Sequence, residues 1–186
     1  MAATLLRKKF TVREFQQLAE TGIWGEERLE LLNGEIIEMG KIGPRHAAFV
    51  RRLTRLLRQQ LRDAQALLDV QNPIEINPYS QPQPDLSLLI PRADDYEAGH
   101  PLPQDVLLLI EVADSTLESD RAVKVPLYSQ AGIAEVWLID IKGQTLTAYR
   151  QPSAQGYRLV QLYTIGEQLN ASQLPMVALN LSDVFP

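Results

Sequence analysis

Five consecutive apolar residues, Val106 to Ile110, run straight into a glutamate, Glu111. Such a run leaves no polar face to turn towards water, which predicts a strand covered on both sides at the centre of an α/β sheet. Glu111 then stands where a charge is costly to bury unless it is paired, hydrogen-bonded or bound to a metal. A second carboxylate, Asp85, opens another largely apolar run, Leu86 to Ile90, and Pro78, Pro82 and Pro84 stiffen the approach to it. Thirteen residues beyond Glu111 comes Lys124, on a segment with helical spacing.

The rest of the chain reads as elements around this centre. Thr11 and Glu14 have capping-box spacing, so a short helix to about Glu20, ending at Gly22, is expected, with Phe15 and Leu18 on one side. Arg28 to Met39 carries two β-prone runs around Asn33-Gly34 and predicts a tight hairpin. His46 to about Ala64 predicts the longest helix, its apolar face built by Val50, Leu53, Leu57 and Leu61. Ala66 to Val70 and Ile74 to Asn77 read as two strands or one bent strand. Pro91 to Gln104 reads as a loop in which His100 is exposed. Asp120 to Ala131 predicts a helix presenting Asp120, Lys124, Tyr128 and Ala131 on one face; Pro126 demands a kink or a late start beside Lys124. Gly132 ends it. Glu135 to Asp140 reads as the next strand, Leu146 to Arg150 and Tyr157 to Tyr163 read as an antiparallel extension of the sheet, and an apolar tail from Leu174 to Phe185 closes the core or buries against a second copy.

A chain of 186 residues with 45% hydrophobic residues fits one domain spanning residues 1–186. It has no cysteine and only two histidines, so thiolate zinc sites are excluded and any metal would be held mainly by oxygen. No apolar run reaches membrane-spanning length and the first ten residues do not read as a secretory leader, so a cytoplasmic protein is expected, with no membrane partner. The net charge of −5 argues against a general nucleic-acid coat. Charge is nonetheless unevenly placed. Between Arg45 and Arg62 stand six arginines and no acid, and Arg51, Arg55, Arg58 and Arg62 recur at helical spacing opposite the apolar face. That stripe suits phosphate contacts; an ordinary solvated face or a contact for an acidic protein surface is the other reading.

Pro84-Asp85, Glu111 and Lys124 are the residues at which the chain resembles the PD-(D/E)XK nuclease superfamily, and within it the Uma-two family of restriction-type endonucleases. The resemblance extends to Arg28 through Ile36, to His46, to Glu111-Val112, to Asp120 with Lys124 and Tyr128, to Ala131-Gly132-Ile133 and to Glu135 through Asp140. It implies a restriction-endonuclease-like α/β fold, a mixed central sheet flanked by helices with an antiparallel extension. Ala113 stands where the simplest E-x-K pattern has its lysine; in the family resembled, that lysine has moved to the following helix, where Lys124 matches it. The resemblance also implies Glu30 and His46 as accessory residues, DNA as the partner, and a homodimer.

Two converging carboxylates repel each other, and a divalent ion relieves the repulsion, so Asp85 and Glu111 are candidate oxygen ligands for magnesium or manganese. Lys124 would position or deprotonate the attacking water, or stabilise the phosphate. Each residue taken alone also fits a structural role: Asp85 capping a turn, Glu111 in an ion pair, Lys124 solvated on its helix, Glu30 a solvated strand carboxylate, His46 a local packing residue. The leading expectation is a magnesium-dependent DNA endonuclease with Asp85, Glu111 and Lys124 as its catalytic set; the alternative is a non-catalytic nucleic-acid- or protein-binding member of the same fold. No serine-hydrolase elbow, His-Glu-x-x-His pair or phosphate-binding glycine loop is present.

Overall fold

A computed structural model describes residues 7–61 and 65–185. Thr11 caps α1 (Val12–Glu20) through the reciprocal bonds that its spacing with Glu14 predicts. The strands β1 (Leu29–Leu32) and β2 (Glu35–Glu38) pair as a hairpin whose turn residues Asn33 and Gly34 both have positive φ, 53° and 82°. Gly34 also lies against Lys9, where a Cβ would approach to 2.7 Å.

The long helix α2 spans Pro44–Arg58 rather than His46 to Ala64. It begins earlier because Pro44 occupies the first turn, where its missing N–H costs nothing. It ends earlier, the Gln60 N–H turning to the Leu57 carbonyl three residues back, while the Gln60 side chain exchanges two 2.8 Å bonds with the backbone of Ala178. The last three residues of the expected helix, 62–64, lie outside the described residues.

Six strands form the central sheet in the order β3 (Leu67–Val70), β4 (Leu86–Leu89), β5 (Val106–Ala113), β6 (Glu135–Asp140), β7 (Thr145–Arg150) and β8 (Leu159–Tyr163). The pair β5 and β6 is parallel and every other neighbouring pair antiparallel, so the sheet is mixed. Ile74 to Asn77 adds no strand to it. Ile74 and Ile76 donate to the carbonyls of Pro82 and Ser80, but the prolines at 78 and 82 cannot return bonds, and only the bridge of Asn77 to Ser80 forms. Both isoleucines are still buried.

Residues alternate across β5. Leu108, Ile110 and Val112 meet Val50, Leu53 and Leu57 of α2 together with the tail residues Leu174, Val177 and Leu179. Leu109 and Ala113 face the opposite core, where Val125, Leu127 and Tyr128 cover the sheet. The apolar tail therefore closes this chain's own core. It forms a small sheet of β9 (Gln168–Asn170) with β10 (Ala178–Asn180) and ends in α5 (Leu181–Val184).

The parallel crossover from β5 to β6 is helical: α3 (Leu117–Ser119), a π turn over Asp120–Lys124, and α4 (Val125–Gln130). The helix starts three residues before the expected Asp120. The irregularity required by Pro126 is that π turn, in which the Val125 N–H reaches back five residues to the Asp120 carbonyl. Gly132, with φ 81°, ends the crossover. The loop after β4 leaves His100 exposed, and no helix among the described residues is long and apolar enough to cross a membrane.

Candidate active site

The sheet register brings the first two carboxylates together. Antiparallel pairing sets Leu86 opposite Ile110, so Asp85, one residue before β4, comes beside Glu111 near the end of β5. Asp85 is held on both oxygens. Its Oδ2 accepts the Val112 N–H at 3.0 Å and lies 3.0 Å from His46 Nε2, while Oδ1 accepts the Gln71 side-chain amide at 3.1 Å. The backbone N–H of Gln71 donates to the Asp85 carbonyl as well.

Glu111 meets the crossover helix. The Tyr128 hydroxyl donates to its Oε1 at 2.6 Å, and Lys124 Nζ lies 3.4 Å from the same oxygen. Lys124 also pairs with Glu30 Oε2 at 3.0 Å, and that oxygen accepts the Gln83 N–H at 3.2 Å. Asp120, one turn before the lysine, accepts the Thr116 hydroxyl at 2.6 Å. Asp120, Lys124 and Tyr128 stand four residues apart along the helical crossover, and all three are buried.

Burial governs the charge states. Desolvation pushes the Glu111 carboxyl up to about 8 against the opposing pull of Lys124. It raises Asp120 in the same way. For Lys124, desolvation alone would favour the neutral amine, but the carboxylates of Glu111, Glu30 and Asp120 outweigh it and hold the ammonium above its ordinary range. His46 is raised by its hydrogen bond to Asp85.

Glu30, His46, Asp85, Glu111, Asp120 and Lys124 all line one cavity of about 670 Å³. Five segments far apart in sequence thus deliver the expected catalytic and accessory residues to a single place. Arg51, Arg55 and Arg58 do not enter it. They are exposed along α2 and line a neighbouring groove, and Arg62 lies outside the described residues. The sequence reading gave no role to Gln71, Gln83 or Thr116. Tyr128 stood on the expected helical face, but only the fold aims its hydroxyl at Glu111.

Among the described residues no three acidic or histidine side chains form a ready-made metal cluster. Asp85 and Glu111 are the pair that could hold a cation. No hydrogen bond among the described residues occupies Glu111 Oε2, and Asp85 Oδ1 accepts only one. A two-carboxylate set suits a hard ion that retains several waters.

Comparison with known proteins identifies the family and the fold. The family described as "Uma2: Putative restriction endonuclease" matches residues 12–182. The crystal structure of a "putative nuclease belonging to DUF820" from Anabaena variabilis ATCC 29413 superposes with a TM-score of 0.69 over 95% of this chain and 97% of that one, at 20% identity, and so shares the fold. No curated protein matches the chain. Because the family match runs over nearly the whole length, the chain belongs to the Uma2 family.

Proposed function

We propose that this protein is a divalent-metal-dependent endonuclease that hydrolyses DNA phosphodiester bonds. The observation that carries the reading is the meeting of Asp85, Glu111 and Lys124 in one cavity from a strand start, a strand end and a crossover helix. The family's description and that of the Anabaena neighbour support it.

Asp85 and Glu111 would hold the ion, magnesium or manganese. When bound, such an ion supplies charge relief to the carboxylates and an acidified water for attack. The chain's own residues do the rest. Lys124 is held as an ammonium by Glu30, so it serves as a fixed positive charge for a non-bridging phosphate oxygen and a donor to the attacking water, rather than as a base. His46 and the Val112 N–H fix one Asp85 oxygen and Gln71 the other, which sets the carboxylate's plane. Two strands of a duplex are served by two symmetric sites, hence a homodimer.

The test is calorimetric titration with manganese of the wild type, Asp85→Asn and Glu111→Ala, with and without a short DNA duplex, alongside a manganese-dependent plasmid-cleavage assay. Saturable binding and cleavage lost in both variants are expected. Absence of manganese binding to the wild type in either series would sink the metal-dependent mechanism.

A further inference from the structure

A second concavity, about 770 Å³, runs beside the candidate active site between α2 and the end of β3. Its wall is the exposed face of α2, with Arg51, Arg55 and Arg58, and among the described residues its lining contains no acidic one. None of these three arginines forms an ion pair among the described residues. Other arginines at the same helix are occupied: Arg52 donates to the Val184 carbonyl at 2.7 Å and lies over the Phe49 ring, and Arg45 donates to the Ile141 carbonyl. Helix α2 thus carries two sorts of arginine, one tied into the fold and one turned to the groove.

The groove adjoins the catalytic cavity. Ile42 lines both. Gln71 lines the groove while its side-chain amide donates to Asp85 Oδ1 at 3.1 Å. Gln71 holds a left-handed backbone, φ 54°, that a non-glycine residue adopts only when its surroundings enforce it. The enforcing contacts are the bond from its N–H to the Asp85 carbonyl and the bond its own carbonyl accepts from the Gln83 side chain. The junction between the two spaces is therefore a fixed point.

Residues at i, i+4 and i+7 of a helix span roughly 10 Å of axis. A nucleic-acid strand advances roughly 3.4 Å of axis per phosphate in a duplex, so the stripe is as long as about three phosphate steps of one strand. Three guanidiniums with no ion pair among the described residues, along a groove whose Gln71 is bonded to Asp85, fit a polyanion with that repeat.

We propose that this groove is the track for the sugar–phosphate backbone of the strand to be cut, with Arg51, Arg55 and Arg58 holding successive phosphates and Gln71 marking where the track meets Asp85. The proposal rests on the nuclease reading and adds to it the path by which one strand reaches the site.

The test is fluorescence anisotropy of the full chain with a labelled 12-nucleotide single strand and, separately, a 12-base-pair duplex, in chelator so that neither cleavage nor metal contributes. Wild type is compared with R51A/R55A/R58A and with R13A/K142A/R158A, which removes three exposed cations outside both cavities. The groove variant should lower the slope of log affinity against log salt by about 2 for the single strand or about 3 for the duplex, and the remote variant should not. The arm whose loss reaches its expected value identifies the form that enters the track. An unchanged slope in the groove variant, an equal loss in the remote one, or no binding by the wild type overturns the track. Manganese-dependent cleavage separates this from the nuclease reading. Cleavage with KM unchanged in the groove variant removes the track and leaves the nuclease; groove-dependent binding without cleavage by the wild type removes the nuclease and leaves the track.

Discussion

The Tyr128 hydroxyl lies 2.6 Å from Glu111 Oε1, joining the crossover helix to the central strand inside the core, where both residues are at most 3% exposed. This bond favours the charged carboxylate, whereas burial favours the neutral acid. Their opposition makes Tyr128 one of the groups that set the charge of Glu111.

Tyr128→Phe removes that donor and nothing else of size. The Glu111 carboxyl should move further above 8, so manganese binding at neutral pH should weaken and its pH midpoint shift upwards. Stability should fall by about 1–3 kcal/mol from the unsatisfied buried acceptor. Calorimetric titrations between pH 6 and 9 measure the shift; an unmoved midpoint would show that the hydroxyl only packs.

Glu111 should also leave a signature in stability against pH without metal. Its folded value, about 8, lies above the ordinary 4.5, so the folded state keeps a proton that the unfolded chain releases. The stabilisation is complete below about pH 4.5, declines as pH rises and is gone above about 8. Glu111→Gln cannot ionise and should flatten the curve, gaining on the wild type by a few kcal/mol by pH 8. Urea denaturation of both proteins from pH 5 to 9 reads this directly, and parallel curves would refute it.

Lys124 lies 3.0 Å from Glu30 and 3.4 Å from Glu111, all three buried. Lys124→Met leaves the Glu30 carboxylate without its cation and should cost about 3–5 kcal/mol. Adding Glu30→Gln should recover part of that loss, since the charge stranded nearest the lysine's place is then gone. Denaturation of the four members of this cycle gives the coupling, and simple additivity would mean that Glu30 does not hold the lysine.

Much of the arrangement was legible in the residues because it rests on local chemistry. The apolar run into Glu111, the Asn33-Gly34 turn, the Thr11 cap and the sheet order beyond Gly132 each follow from patterns a few residues long. Glu30 and His46 were named as accessories by resemblance, yet their partners could not be read, since Lys124 and Asp85 reach them only through tertiary packing. Gln71 left no mark at all. Its place depends on a left-handed backbone after β3 and on Gln83, twelve residues away, and neither is encoded in spacing. The contact of the Gln60 side chain with Ala178, 118 residues distant, was equally out of reach of spacing.

His46 tests the same site from the other side of Asp85. The hydrogen bond to Asp85 raises its imidazole above 6.5, while burial pulls the other way. Asp85→Asn removes the raising partner and leaves the burial, so the His46 midpoint should fall below the ordinary value. In the wild type, the contribution of this pair to stability is full below about pH 6.5 and is lost as pH rises through the raised folded value. Only two histidines are present, and His100 is exposed in the loop after β4, so imidazole resonances can be assigned with His100→Gln alone. If the His46 midpoint stayed put in Asp85→Asn, the 3.0 Å contact would not be what sets its charge, and a positioning role for His46 at Asp85 would have to be abandoned.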